Sequence, residues 1–166
     1  MPCEIPENFD SSTSPADNAR SLALQKAECV GAKVKEGIII GADTIVVLDG
    51  TLLGKPLDKH DAVRMLQLLS GKTHTVYTGI ALVDKPSGKS LSDVEATNVT
   101  FRELPPEEIE EYVAGGSPMD KAGAYGIQDD YGAVFVTRIE GCFYNVVGLP
   151  LSRLFTRLRQ LESQLT

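Results

Sequence analysis

Asp43 stands inside the run Ile38 to Leu48, IIIGADTIVVL, among isoleucines and valines. An ionised carboxylate in a buried strand is costly unless a cation or hydrogen-bond donors compensate it, so Asp43 implies a partner and a task. Gly41, two residues earlier, marks either a bulge or the close approach of another backbone. A plainer reading ends the strand at Gly41 and makes Asp43 a turn or capping residue. Two lysines are placed to answer the carboxylate. Lys26 follows Leu22 by four residues and Ala23 by three, on or beside the apolar stripe of a helix, so its stem either snorkels to water or carries the ammonium toward Asp43. Lys55, in Gly54-Lys55-Pro56, follows a hairpin return and falls near the strand end that carries Asp43, unless it is only a solvated loop charge.

A second group lies in the glycine-rich stretch GSPMDKAGAYGIQDDYG. Asp120 and Lys121 supply charge, Tyr125 a ring for stacking, and Gln128 an amide that donates and accepts at once and can read a base edge. Glycines suit a chain whose backbone approaches a ligand closely; the alternative is an ordinary mobile loop. Glu7, in the acidic, turn-like segment PENFD, is a weaker candidate. His60 and His74 have no metal-ligand spacing and are assigned to structure.

These carboxylates and lysines, without a nucleophilic cysteine or a histidine pair, suit metal-assisted attack of water on a phosphoryl group. Carboxylates hold the ion and orient the water, while lysines neutralise the phosphates. A lysine about 4 Å from a phosphate oxygen interacts by roughly 4 kcal/mol at an effective dielectric near 20. No GxSxG, HExxH or GxxxxGK[ST] occurs, which removes the serine hydrolase, zincin and P-loop readings. The formal net charge of −7 disfavours nucleic acid as a partner. No apolar run approaches a membrane span and nothing resembles a signal peptide, so the expected location is cytoplasmic, with no membrane partner. The three cysteines, Cys3, Cys29 and Cys142, form no CxxC and read as small buried hydrophobes in a reducing compartment.

The elements that must hold these residues follow from patterning. With 166 residues, 42% hydrophobic and 23% charged, the chain is expected to form one soluble α/β or α+β domain over residues 1–166. Ser14-Pro15 opens a helix whose Ala19, Leu22, Ala23, Ala27 and Val30 repeat at helical spacing. The Asp43 strand turns at Asp49-Gly50 into Thr51-Leu52-Leu53. Asp58 caps a helix that buries Ala62, Met65, Leu66 and Leu69 and stops at Ser70-Gly71. His74 to Val83 and Leu91 to Phe101 form an antiparallel hairpin, and a third helix runs from Pro106 to Gly115. The patterning then predicts strands over Ala133 to Ile139 and Phe143 to Val147. An amphipathic C-terminal helix follows, with Leu151, Leu154, Phe155, Leu158, Leu161 and Leu165 on its apolar face.

Taken together, GADTIVVLDGTLLGKP, LSGKTHTVYTG, DKAGAYGIQ and NVVGLPL resemble the Maf family of nucleoside triphosphate pyrophosphatases, which has been linked to septum formation. The resemblance implies an elongated α/β fold in which helices flank a mixed, twisted sheet and a cleft separates two lobes, similar to inosine triphosphate pyrophosphatase. It also implies a nucleotide substrate, a divalent cofactor, Mg2+ or Mn2+, and a homodimer. By matching position, Asp43 looks like the general base or metal-bound carboxylate, Lys55 a phosphate-binding lysine, Lys26 the family's helix lysine, and Glu7 the second acidic residue of the metal site. Asp120 and Lys121 fall in the substrate-binding loop. Thr44 and Gln128 match positions that separate subfamilies, and ADT with GAYGIQ resembles the branch acting on dTTP and UTP. Family members begin with an LASxSPRR strand and loop that precedes the matched region, so the chain is expected to be N-terminally truncated relative to them. A catalytically silent nucleotide-binding or interaction module is the alternative that this departure leaves open.

Overall fold

The computed structural model describes residues 9–128 and 130–165, so Glu7 lies outside the described residues. Helix α1 (Pro15–Gly31) begins as expected, with Ser14 Oγ accepting the Asp17 N–H at 3.1 Å and Pro15 in its first turn. Strand β1 (Gly37–Leu48) runs unbroken through Gly41 and Asp43, which removes the reading of Asp43 as a turn residue. Asp49 and Gly50, both at positive φ, make the tight turn into β2 (Thr51–Leu53). Then come α2 (Lys59–Leu69), capped by Asp58, the long strands β3 (Thr73–Lys85) and β4 (Ser90–Phe101), and α3 (Pro106–Ala114). The glycine-rich stretch folds into two 3-10 turns, Ser117–Asp120 and Ala122–Ala124, and the short helix α4 (Asp130–Ala133). β5 (Val136–Glu140), α5 (Phe143–Val147) and α6 (Leu151–Leu165) complete the described chain.

The strands form one sheet of order β2-β1-β3-β4-β5, and each pairing among the described residues is antiparallel. The helices flank this sheet, as the α/β expectation requires; the parallel pairing of a mixed sheet is not found among the described residues. On one face α1 packs over β1 and β3, burying Ala23, Ala27, Ile39, Ala81 and Val83. On the other face a larger core joins Val46, Leu48, Val76, Val99 and Phe101 of the sheet to α2, α3 and Phe135. Among the described residues β2 pairs with Val46 to Leu48, whereas β3 pairs with β1 from Gly37 to Val47.

Gly41 has a packing reason. A Cβ built there would lie 2.2 Å from the Ala23 carbonyl oxygen, and one at Gly79 on β3 would lie 2.1 Å from that of Ala19. The two glycines sit diagonally on neighbouring strands and receive successive turns of α1. Of the two explanations for Gly41, close backbone approach is the one observed.

Three expectations are corrected. Phe143 to Val147 is the helix α5, not a strand, because its Asn145 turns inward and is fully buried, with its amide bonded to Val76 O and Thr97 Oγ1. Tertiary hydrogen bonds here override the β-branched local preference. The apolar face of α6 is mostly unburied: Leu161 is covered, while Leu151, Phe155 and Leu165 are exposed. The cysteines are not all buried thiols, since Cys29 is disulfide-bonded and Cys142 is a half-buried free thiol. Among the described residues no helix is long and apolar enough to cross a membrane.

Candidate active site

A cleft of about 320 Å³ opens across β1, between α1, the Gly54-Lys55 turn, the glycine-rich segment and the end of α5. Lys26, Asp43, Thr44, Lys55, Asp120, Lys121 and Gln128 all line it, so every described candidate from the sequence meets in one place. Alternation along β1 sends neighbouring side chains to opposite faces, which splits the cleft into two chemistries.

Asp43 points to the α1 side and is 6% exposed. Its Oδ1 pairs with Lys26 Nζ, so the helix lysine does reach across to the sheet and compensates the buried charge. The glycine seats beneath α1 let the helix approach closely enough to bring the two groups together. Lys121 Nζ contacts Asp120 Oδ1 at 2.9 Å. That hydrogen bond holds the exposed Asp120 carboxyl below the usual carboxylate range, with the nearby Lys55 charge adding to the effect. The segment is fixed to the hairpin by the Gly123 N–H, which donates to Gly54 O at 3.0 Å. Gly123 adopts φ 71°, and any Cβ there would press on Val46 at 3.1 Å. A larger residue would therefore push the Asp120-Lys121 turn away from the strand.

Thr44 points to the opposite face. Its Oγ1 lies 2.9 Å from Thr78 Oγ1 on β3, its cross-strand neighbour. Thr78 Oγ1 in turn donates to Asn145 O at 2.8 Å. Val76, Val146, Val147, Gly148 and Ile127 add apolar wall to the cleft, which is suited to an uncharged ring. Gln128 is exposed and makes no hydrogen bond among the described residues. Phe9 joins the lining because the Asn18 side chain ties the Asp10 backbone in both directions, each at 2.9 Å.

Tyr125 differs from its expected role. It contributes to the cleft wall but is 5% exposed, packed edge-on against Phe101 and His74, with its hydroxyl 2.8 Å from His74 Nε2. Burial pushes its phenol pKa up, so it stays protonated and serves as a structural post for the segment, not as a stacking platform. His74 is structural, as expected, and burial lowers its pKa to about 4. Thr78, Asn145 and Phe9 were missed by residue-by-residue reading. Thr78 and Asn145 fall inside the blocks YTG and NVVGLPL, a signal of place without a reason.

The carboxylates among the described residues of the cleft are those of Asp43 and Asp120. Among the described residues no cluster of three histidines, cysteines or acids could form a closed metal cage. Two carboxylates suit a hard divalent cation that takes one or two of them and completes its shell with water and substrate phosphate oxygens.

The profile of a family described as Maf-like protein matches residues 1–161. The dTTP/UTP pyrophosphatase of Bacillus cytotoxicus is 52% identical over 160 residues, covering 96% of this chain and 82% of the relative. That of Carboxydothermus hydrogenoformans is 51% identical, covering 96% and 85% respectively. That of Bacillus anthracis is 50% identical over 163 residues, covering 98% and 84%.

Proposed function

The chain belongs to the Maf family, and from that premise we propose that it hydrolyses dTTP and UTP to the nucleoside monophosphate and pyrophosphate. The relatives just described carry this activity in their names. The observation that carries the reading is the buried Asp43–Lys26 pair facing a cleft that also holds Lys55 and Lys121.

Water attacks the α-phosphorus, its oxygen forms the new P–O bond, and the bond to the bridging oxygen breaks to release pyrophosphate. Asp43 accepts the proton of the attacking water, while Lys26 holds the carboxylate in place and shares its charge. Lys55 and Lys121 receive the negative charge of the β- and γ-phosphates, which grows as pyrophosphate leaves. Thr44, Gln128 and the valine wall hold the pyrimidine. Asp43 and Glu7 would hold the divalent ion, Mg2+ or Mn2+, and Asp120 would face the substrate from the same cleft. When bound, the ion neutralises phosphate charge and makes water more acidic.

The protein incubated with dTTP or UTP and Mg2+ or Mn2+ should release pyrophosphate, and chelation should stop it. Asp43→Asn should lower kcat by about 10²- to 10⁴-fold while the fold survives. Absence of pyrophosphate from both nucleotides, or full activity of Asp43→Asn, would overturn the reading.

A further inference from the structure

We propose that Thr78 and Asn145 fix the polarity of the Thr44 hydroxyl, so that the cleft presents an acceptor to the base and favours pyrimidines with an N3–H, uracil and thymine, over cytosine. This rests on the dTTP/UTP reading and goes beyond it by naming residues outside the reacting centre that set the choice of base.

A carbonyl oxygen only accepts, and the Thr78 hydroxyl donates its single hydrogen to Asn145 O, 2.8 Å away, which also accepts the Gly148 N–H at 3.0 Å. Its oxygen can then only accept from Thr44, 2.9 Å away, and the Thr44 hydrogen is spent in turn. The Thr44 oxygen is left with lone pairs toward the cleft it lines. The chain is anchored at its far end: Asn145 is fully buried, and its Nδ2 donates to Val76 O at 3.0 Å and to Thr97 Oγ1 at 2.8 Å. Thr97 Oγ1 also accepts the Cys142 N–H at 3.0 Å. Thr78 is fully buried too, so no water exchange can reverse the sequence of donors.

Uracil and thymine carry a hydrogen at N3 and match a fixed acceptor. Cytosine carries a lone pair at N3 and meets lone pair with lone pair. Gln128 cannot make this distinction by itself, because an exposed amide without a fixed partner rotates to offer either its oxygen or its nitrogen. Thr44 is the group whose polarity is locked. A sugar hydroxyl is also a donor, but Thr44 stands on the sheet face away from Asp43 and Lys26, beside the valine wall, where the ring belongs.

The test compares kcat/KM for dTTP, UTP and CTP in the wild type, Thr78→Val, Thr78→Ser and Thr44→Val. Turnover of dTTP and UTP by the wild type tests the activity by itself; the ratio across nucleotides tests this proposal. Thr78→Val frees the Thr44 hydrogen to turn toward the base, so preference for UTP over CTP should fall about tenfold, with CTP gaining, and Thr78→Ser should restore it. Thr44→Val, which leaves the Thr78 to Asn145 bond intact, should lower dTTP and UTP about tenfold and spare CTP, and it keeps the test available if Thr78→Val does not fold. Equal losses for all three nucleotides, or a change confined to UTP against dTTP, would mean a structural role or a sugar contact and overturn the proposal.

Discussion

His74 keeps its ring 2% exposed, with Nε2 on the Tyr125 hydroxyl and Phe101 edge-on at 5.0 Å. Burial lowers its pKa from 6.5 to about 4, so the folded state resists the proton that the unfolded chain takes up. The stability from a neutral His74 is therefore complete above about pH 6.5 and drains away as pH falls toward 4, by up to about 3 kcal/mol. Thermal melts at pH 7 and pH 4.5 should show a larger loss for the wild type than for His74→Leu/Tyr125→Phe; equal losses would remove His74 as the cause. Lys55 makes a different kind of prediction. Lys55→Ala should leave the fold intact and lower kcat/KM for dTTP by about ten- to a hundredfold, the range of one lost charge-assisted hydrogen bond. Unchanged kinetics would show that Lys55 does not meet phosphate. At this scale Asp43 was legible because a carboxylate among β-branched residues has few inexpensive explanations. Thr78 and Asn145 were not, because a threonine in a strand and an asparagine in an apolar run carry no local sign of the bond between them, 67 residues apart.

The seating of α1 on the sheet decides whether Lys26 and Asp43 meet, and that seating depends on Gly41 and Gly79. A Cβ at Gly41 would meet three atoms of α1 within 2.9 Å, two of them backbone, so the helix and not a side chain must move. Gly41→Ala should cost about 1–3 kcal/mol in stability and lower turnover as well, because Lys26 shifts with the helix. Gly115→Ala, at a residue with φ −64° and ordinary contact distances, should stay within about 0.5 kcal/mol of wild type. Urea melts and dTTP turnover of both variants check this; a silent Gly41→Ala would dissociate the glycine seats from the ion pair. Elements with local start and stop signals were readable: Ser14-Pro15, Asp49-Gly50, Asp58 and Gly71 each end or begin a segment where expected. α5 was not, since its helical form is set by the polar bonds of Asn145 and closed by Gly148 at φ 112°, and four apolar residues around one asparagine fit a strand equally well.

Across the whole molecule the net charge is −7, and β4 places Asp93 and Glu95 on the same face two residues apart, a pairing that repels unless cations cover it. α6 supplies them. Arg153 reaches Glu95 at 2.6 Å and Asp93 at 3.1 Å, and Arg157 reaches Asp93 at 2.7 Å. Near the other end of the helix, Lys89 Nζ donates to Gln164 O, tying the β3–β4 turn to its last carbonyls. The two arginines thus clamp α6 to β4, while Phe155 remains 65% exposed on its apolar face. Burial alone would raise the Asp93 pKa, but hydrogen bonds from Arg157, the Val94 N–H and Arg153 hold it below the ordinary value. Its contribution is therefore present above about pH 4 and lost on further acidification. Asp93→Asn should cost about 2 kcal/mol, lowering Tm by about 4–8 °C in a chain of this length. Arg159→Ala, whose side chain is 71% exposed and pairs within the helix turn to Glu162, should leave Tm nearly unchanged. Hydrogen exchange should localise the Asp93→Asn effect to 151–165; protection there equal to wild type would mean that apolar contact around Leu161, and not the arginine clamp, holds the helix.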